Sequence, residues 1–181
     1  MKVIIAISGG SGVNLGLKIL KHLPEDIKRY LIISKNAKTV FKEETNLEIF
    51  DDGDIAASLA SGSFGCNAMI VVPCSMNTLA KIGCGIADNL TTRAASVMIK
   101  EKKDLLLAPR ELPYSAIALE NMLKLSRLGV IIAPPVLGYY SNPKSLDDME
   151  DFIIGKWFDL IGIKHHLYSR WKVDEIEDKD E

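Results

Sequence analysis

The chain has 181 residues, 48% of them apolar and 25% charged, with a formal net charge of −2. That length holds one domain with a sizeable core and is short for two, while a charge this close to zero argues against a protein built to hold nucleic acid or an anionic membrane surface. No apolar run approaches the ~18–20 residues that cross a bilayer.

Val3–Ile7 is short and apolar at every position but for small Ala6, as in a strand buried on both faces. With Lys2 before it the segment imitates a signal peptide, but the run is too short and enters a glycine turn instead of a cleavage site. Gly9, Gly10, Ser11 and Gly12 lead into a helical pattern over Val13–Leu23. Glycines there permit a tight turn and close backbone approach, and the helix start offers unpaired N–H groups to an anion. The spacing is neither the dinucleotide GxGxxG nor the Walker GK[ST], so a plain strand-to-helix turn also fits. A second strand, Tyr30–Ile33, ends at Ser34-Lys35, and a helix is predicted over Ala37–Glu44. The third strand, Ala68–Val72, runs through Pro73-Cys74-Ser75-Met76-Asn77-Thr78 into a helix at Met76–Ile82. Its hydroxyls at a helix start repeat the arrangement of the first turn, and two such turns at one rim favour a phosphorylated cofactor such as FMN.

On the predicted helix Asn89–Lys103, Arg93 and Lys100 fall about 20° apart on the wheel and roughly 10 Å apart along the axis. Asn89, Thr92 and Ser96 share that wedge, and Leu90, Ala94, Val97, Met98 and Ile99 fill the remainder. Such a wedge is either solvated surface or, facing the sheet rim, an anion site. Strand Leu105–Ala108 ends at Pro109-Arg110-Glu111, which reads as a loop ion pair or, in a cleft, as an anion clamp beside a proton donor. A helix over Ser115–Leu128, a strand at Val130–Ala133 ending in Pro134-Pro135, and a last helix over about Leu146–Ile161 complete the order. Lys156 falls on the apolar face of that last helix, between Phe152 and Leu160, and needs either an anionic partner or a route for its ammonium to solvent. Residues 172–181 alternate acidic and basic side chains and read as a disordered tail.

Strands alternating with helices predict an α/β fold, a single doubly wound parallel sheet with helices on both faces, over residues 1–171. Ligands of such sheets bind at the carboxyl ends of the strands, where the small and polar residues gather. Cys66, Cys74 and Cys84 are odd in number and lack close metal-ligand spacing, and His22, His165 and His166 have no second ligand at helical spacing. Reduced cytoplasmic thiols and no metal site are the expectation.

Six motifs occur together in one order: Ile7-Ser8-Gly9-Gly10-Ser11-Gly12, the run from Asp54 to Phe64, Pro73-Cys74-Ser75-Met76, Leu90-Thr91-Thr92-Arg93-Ala94-Ala95, Pro109-Arg110-Glu111-Leu112-Pro113 and Ser145-Leu146-Asp147-Asp148. Over residues 2–171 the chain thereby resembles the UbiX-type flavin prenyltransferases. The resemblance implies a Rossmann-like flavoprotein fold, a homododecamer with sites at subunit junctions, and metal-free alkylation of reduced FMN by dimethylallyl monophosphate. Prenylated FMN would pass to a UbiD-type decarboxylase. It further implies that Gly9, Gly10, Ser11, Ser34, Ser75, Met76, Asn77, Thr78 and Arg110 hold FMN. Tyr140 and Lys156 would bind the prenyl phosphate, aided by Arg93, Lys100 and Arg110, with Trp171 near the prenyl group. Glu111 matches the acid serving the phosphate, and Ser11 and Glu44 match groups of later proton handling.

Those residue types suit the chemistry. Monophosphate is a poor leaving group, and without a metal its growing charge has to be met by cations such as Arg93, Lys100, Arg110 and Lys156. Glu111, as proton donor, requires burial to raise its pKa. The chain departs from the family pattern at Asn77, where lysine is common, at Gly10, where alanine is, and at Lys156, where many members have arginine. Tyr140-Ser141-Asn142-Pro143 also lacks a frequent histidine-arginine pair. Two rival readings share the fold or its turns: an FMN-dependent decarboxylase and a non-catalytic FMN-binding protein. The related cysteine decarboxylases use a histidine early in the chain, and none stands between His22 and His165.

Overall fold

The computed structural model describes residues 1–8, 12–33, 47–139 and 143–170. Gly9, Gly10, Ser11, Ser34, Glu44, Tyr140 and Trp171 lie outside the described residues, as do the helix expected at Ala37–Glu44 and the tail.

Six strands, β1 (Lys2–Ser8), β2 (Lys28–Ile33), β3 (Leu47–Asp51), β4 (Ala68–Cys74), β5 (Asp104–Pro109) and β6 (Ile131–Ile132), form one sheet in the order β3-β2-β1-β4-β5-β6. Every pairing is parallel. Five α-helices are described: α1 (Val13–His22), α2 (Met76–Cys84), α3 (Leu90–Lys100), α4 (Ala116–Arg127) and α5 (Leu146–Leu160). The α/β class and the five expected strands are thus present, with ends moved by a few residues.

β3 is the strand that sequence reading missed. It sits at the sheet edge and is only half-buried, so it lacks the continuous apolar run that marks its neighbours. β4, by contrast, is buried at all seven positions.

Alternation along the strands divides two layers. Ile4, Ala6, Tyr30, Ile32, Met69, Val71, Leu105 and Leu107 share one core with Leu79 and Ile82 of α2, Leu90, Ala94 and Ala95 of α3, and Leu125 of α4. The opposite face receives α1. There Gly16 is pressed so close that a Cβ would stand 3.0 Å from Ile7 and 3.1 Å from the Val72 carbonyl oxygen. The strand order reverses between β1 and β4, so the crevice where such sheets bind ligands opens at the carboxyl ends of these two strands.

The start of α3 is tied to that same rim. Asp52, just past β3, accepts from the Thr91 amide and the Asn89 side-chain amide, each at 2.9 Å, and its carbonyl accepts from the Leu90 amide at 2.8 Å. Asn89 and Thr92 add a reciprocal capping box.

By packing, the chain divides into two compact units, Met1–Pro135 and Val136–Glu181. In the second, Ser145 and Asp148 form the capping box that starts α5. After α5 the chain folds back on it at Gly155, where a Cβ would stand 2.6 Å from the Tyr168 ring and 2.7 Å from the His165 ring. Among the described residues no helix is long and apolar enough to cross a membrane.

Candidate active site at the carboxyl rim of the sheet

The crevice is built from three strand ends. Ser8 closes β1, and Ser75 follows β4 as the N-cap of α2. Ser8 Oγ lies 3.2 Å from Ser75 Oγ and is hydrogen-bonded to Thr78 Oγ1, while Ser75 Oγ donates to Thr78 Oγ1 at 3.0 Å. The Thr78 amide donates to Ser75 Oγ at 3.1 Å, which fixes the cap. Three hydroxyls from two strand ends thus meet at the start of a helix.

Gly12 caps α1 with φ +94, a left-handed conformation that glycine adopts without steric cost. A Cβ at this position would stand 3.7 Å from Pro73 and 3.9 Å from Arg110 Cδ. Gly12 at the start of α1, Pro73 near the end of β4 and Arg110 after β5 therefore come together, with the N-terminus of α1 beside the arginine side chain. Both attract anions. Hydroxyls, a glycine at a helix start and an arginine at one rim are the groups that suit a phosphate monoester such as that of FMN.

Glu111, next to Arg110, is exposed, and its Oε1 accepts from the Leu112 amide at 3.2 Å. The burial expected for it is absent from the single chain. Behind it, Tyr114 donates its hydroxyl to the Pro109 carbonyl at 3.2 Å. Burial, and then the Glu111 charge, push the Tyr114 phenol up from its ordinary value.

Two expectations need correction. Arg93 and Lys100 do share the exposed face of α3, but Thr92, expected in that wedge, is 1% exposed because its hydroxyl turns back to close the capping box. Because α3 starts at the rim and runs away from it, Arg93 is near the crevice end while Lys100 is about 16 Å along the axis from Asn89. There Lys100 pairs with Glu101 and lines a hollow of about 350 Å³ with Cys84, Ile86, Ser96, Lys124 and Leu128. Within one chain it does not join Arg110. Lys156, expected on an apolar face, is exposed, although Phe152–Gly155 before it and Trp157 and Phe158 after it are buried. In this second half of the helix the lysine shares the exposed strip with Leu160.

Met76 is half-buried and Asn77 exposed in the first turn of α2, beside the hydroxyl trio. Ser8 and Asp52 are the residues that sequence reading passed over as site components. Ser8 had one signal, a hydroxyl ending an apolar strand; Asp52 had none, since its partners are 37 and 39 residues away.

Comparison with known proteins decides the family. The profile of the family described as Flavoprotein matches residues 1–157. The chain is 50% identical to the flavin prenyltransferase UbiX of Campylobacter jejuni, over 95% of this chain and 99% of that protein. The chain belongs to the UbiX flavin prenyltransferases.

Solved structures agree on the architecture of this UbiX-family chain. AnUbiX (PadA1), crystallised with FMN and dimethylallyl pyrophosphate, superposes with a TM-score of 0.85 at 38% identity, over 94% of this chain and 97% of that one. A dodecameric protein of Escherichia coli O157:H7, described as an FMN-dependent UbiX-like decarboxylase, superposes with a TM-score of 0.86 at 40% identity, over 95% of this chain and 100% of that one. The Rossmann-like flavoprotein fold and the transferase class expected from the six motifs both hold.

Proposed function

We propose that this flavin prenyltransferase joins the dimethylallyl group of dimethylallyl monophosphate to N5 and C6 of reduced FMN, releasing phosphate. The observation that carries the reading is the gathering at the rim of Gly12 beside Arg110 and of Ser75 with Thr78, groups suited to a flavin phosphate, with the Glu111 carboxyl next to Arg110 in sequence. Ser75, Met76, Asn77, Thr78 and Arg110 would hold FMN, with Gly9, Gly10, Ser11 and Ser34. Reduced flavin supplies the nucleophile. The chain supplies the rest.

Arg93, Lys100, Arg110 and Lys156 would meet the growing charge of the departing phosphate, with Tyr140 binding it. Glu111 would protonate it. Trp171 and Tyr140 would shelter cation character at the allylic carbon. With the prenyl double bond then protonated, C6 would close the ring on the carbon left cationic, and Glu44 with Ser11 would move these protons, taking the one lost from C6. The proposed assembly is a homododecamer with sites at subunit junctions, as befits a relative described as dodecameric. Two features support it: Lys100 lies far along α3 from the rim of its own chain, and Glu111 lacks in one chain the burial an acid needs. Prenylated FMN would be delivered to a UbiD-type decarboxylase in the cytoplasm.

The test is anaerobic incubation of the purified protein with reduced FMN and dimethylallyl monophosphate, following phosphate release and flavin mass. Prenylated flavin with stoichiometric phosphate is the expected result; an unchanged flavin mass in FMN-loaded protein sinks the proposal. Running the pyrophosphate in parallel settles which prenyl donor is used. The rival decarboxylase reading, favoured by the description of the E. coli relative, predicts carbon dioxide from an added acid and no change in flavin mass.

A further inference from the structure

Lys156 has no ion pair among the described residues; its Nζ lies 6.0 Å from the centroid of the Tyr168 ring. That is unexpected from the sequence of α5. Asp159 stands three residues on, at the spacing where lysine and aspartate pair along a helix.

The pair does not form because the Asp159 carboxylate is already filled. Arg170 donates Nη2 to Oδ1 at 2.6 Å and Nη1 to Oδ2 at 3.3 Å, and the Tyr168 hydroxyl donates to Oδ2. His165 Nε2 lies 3.1 Å from Oδ1. His165 Nδ1 accepts the Leu167 amide at 3.1 Å, which leaves Nε2 as the ring nitrogen that donates to Asp159. The His165 side chain is only 3% exposed, so this orientation is held by its surroundings. Burial alone would raise the Asp159 carboxyl, but the hydrogen bonds from Arg170, Tyr168 and His165 outweigh it and hold the group at about 2. Phe152 and His165 flank the Tyr168 ring at centroid distances of 5.0 and 5.3 Å, and Gly155 leaves it room against the helix.

We propose that Arg170, Tyr168 and His165 are positioning residues that sequester Asp159 and so keep the Lys156 ammonium available for the phosphate of the prenyl donor. The inference rests on the reading of Lys156 as a phosphate ligand. An exposed lysine–aspartate pair would compete with that phosphate by a factor of about 2 to 5. A role confined to stability would make no such demand on where the carboxylate is directed.

A double-substitution cycle in the full chain, read as steady-state kinetics, separates the two roles. Arg170→Gln is expected to raise KM for dimethylallyl monophosphate about 3-fold, with KM for FMN unchanged. Removing the released charge as well, in Arg170→Gln with Asp159→Asn, is expected to return KM to the wild-type value, although thermal stability falls further. If Arg170→Gln fails to fold, Tyr168→Phe takes its place, with a smaller rise also reversed by Asp159→Asn. A double variant no better than the single one overturns the proposal, as does a rise that persists when Lys156 is replaced by Met. A wild-type chain that loads FMN but releases no phosphate overturns the prenyl-transfer reading itself, and this inference falls with it.

Discussion

Gly12 and Arg110 stand against each other across the rim of the sheet: a methyl group placed on Gly12 would lie 3.9 Å from Arg110 Cδ. The room is enough for a methyl group, but the backbone is not, since φ is +94. Gly12→Ala is therefore expected to cost about 1 kcal/mol or more through the left-handed conformation. For a chain of this size that is a fall of roughly 2–4 °C in Tm by calorimetry. Flavin affinity, followed by fluorescence quenching, is expected to fall with it, because a relaxed turn moves the α1 N-terminus away from the guanidinium.

Glu111→Gln keeps the acceptor for the Leu112 amide but removes the acid. Phosphate release is expected to slow by about 100-fold or more, with FMN affinity within about 2-fold of wild type. Rapid-quench measurement of phosphate with a parallel flavin titration checks both. Lost flavin loading would make Glu111 a structural residue and cancel its assigned role.

Asp52→Ala deletes the acceptor for Asn89 and Thr91 at the start of α3. A helix-cap loss combined with two orphaned donors is expected to cost about 1–2 kcal/mol, and Asp52→Asn, which keeps one acceptor oxygen, less. Chemical denaturation of the two variants gives the order. Hydrogen exchange at the first turn of α3 is expected to rise in Asp52→Ala before exchange elsewhere.

Burial pushes the Cys74 thiol up to about 12, and burial, partly offset by Lys2, pushes Cys66 up to about 11. Both are expected to resist alkylation at pH 8, while exposed Cys84 is labelled first; peptide mass mapping after brief labelling distinguishes them. The sign of the pH effect follows. An unfolded thiol ionises near 9.0, below the folded values, so ionisation favours the unfolded chain. Stability is complete below about pH 9 and declines as pH rises through the folded values, which alkaline denaturation curves of Cys74→Ala and wild type test.

Much of the frame was legible in residue order. Val3–Ile7 and Ala68–Val72 are continuously apolar because both faces of those strands are covered, and the glycine and serine turns after them mark the rim. Edge strand β3 was not legible, because half-burial leaves no run to see. The basic wedge of α3 was legible as a face, since 3.6 residues per turn fixes which side chains share one. Which end of that face meets the crevice was not, because Asp52 anchors the helix start from a distant strand.

The amino-acid sequence by itself determined the α/β order, the rim of small and polar residues and the family, all of which depend on local periodicity or on motif order. Tertiary structure alone decided that Ser8 joins Ser75 and Thr78, that Gly12 faces Arg110, that Lys100 stands apart from the rim of its own chain, and that Lys156 is exposed and unclaimed by Asp159. Each of these depends on which side chains distant in sequence reach a donor or carboxylate first. Hydrogen-bond geometry in the folded chain settles that, and residue spacing does not.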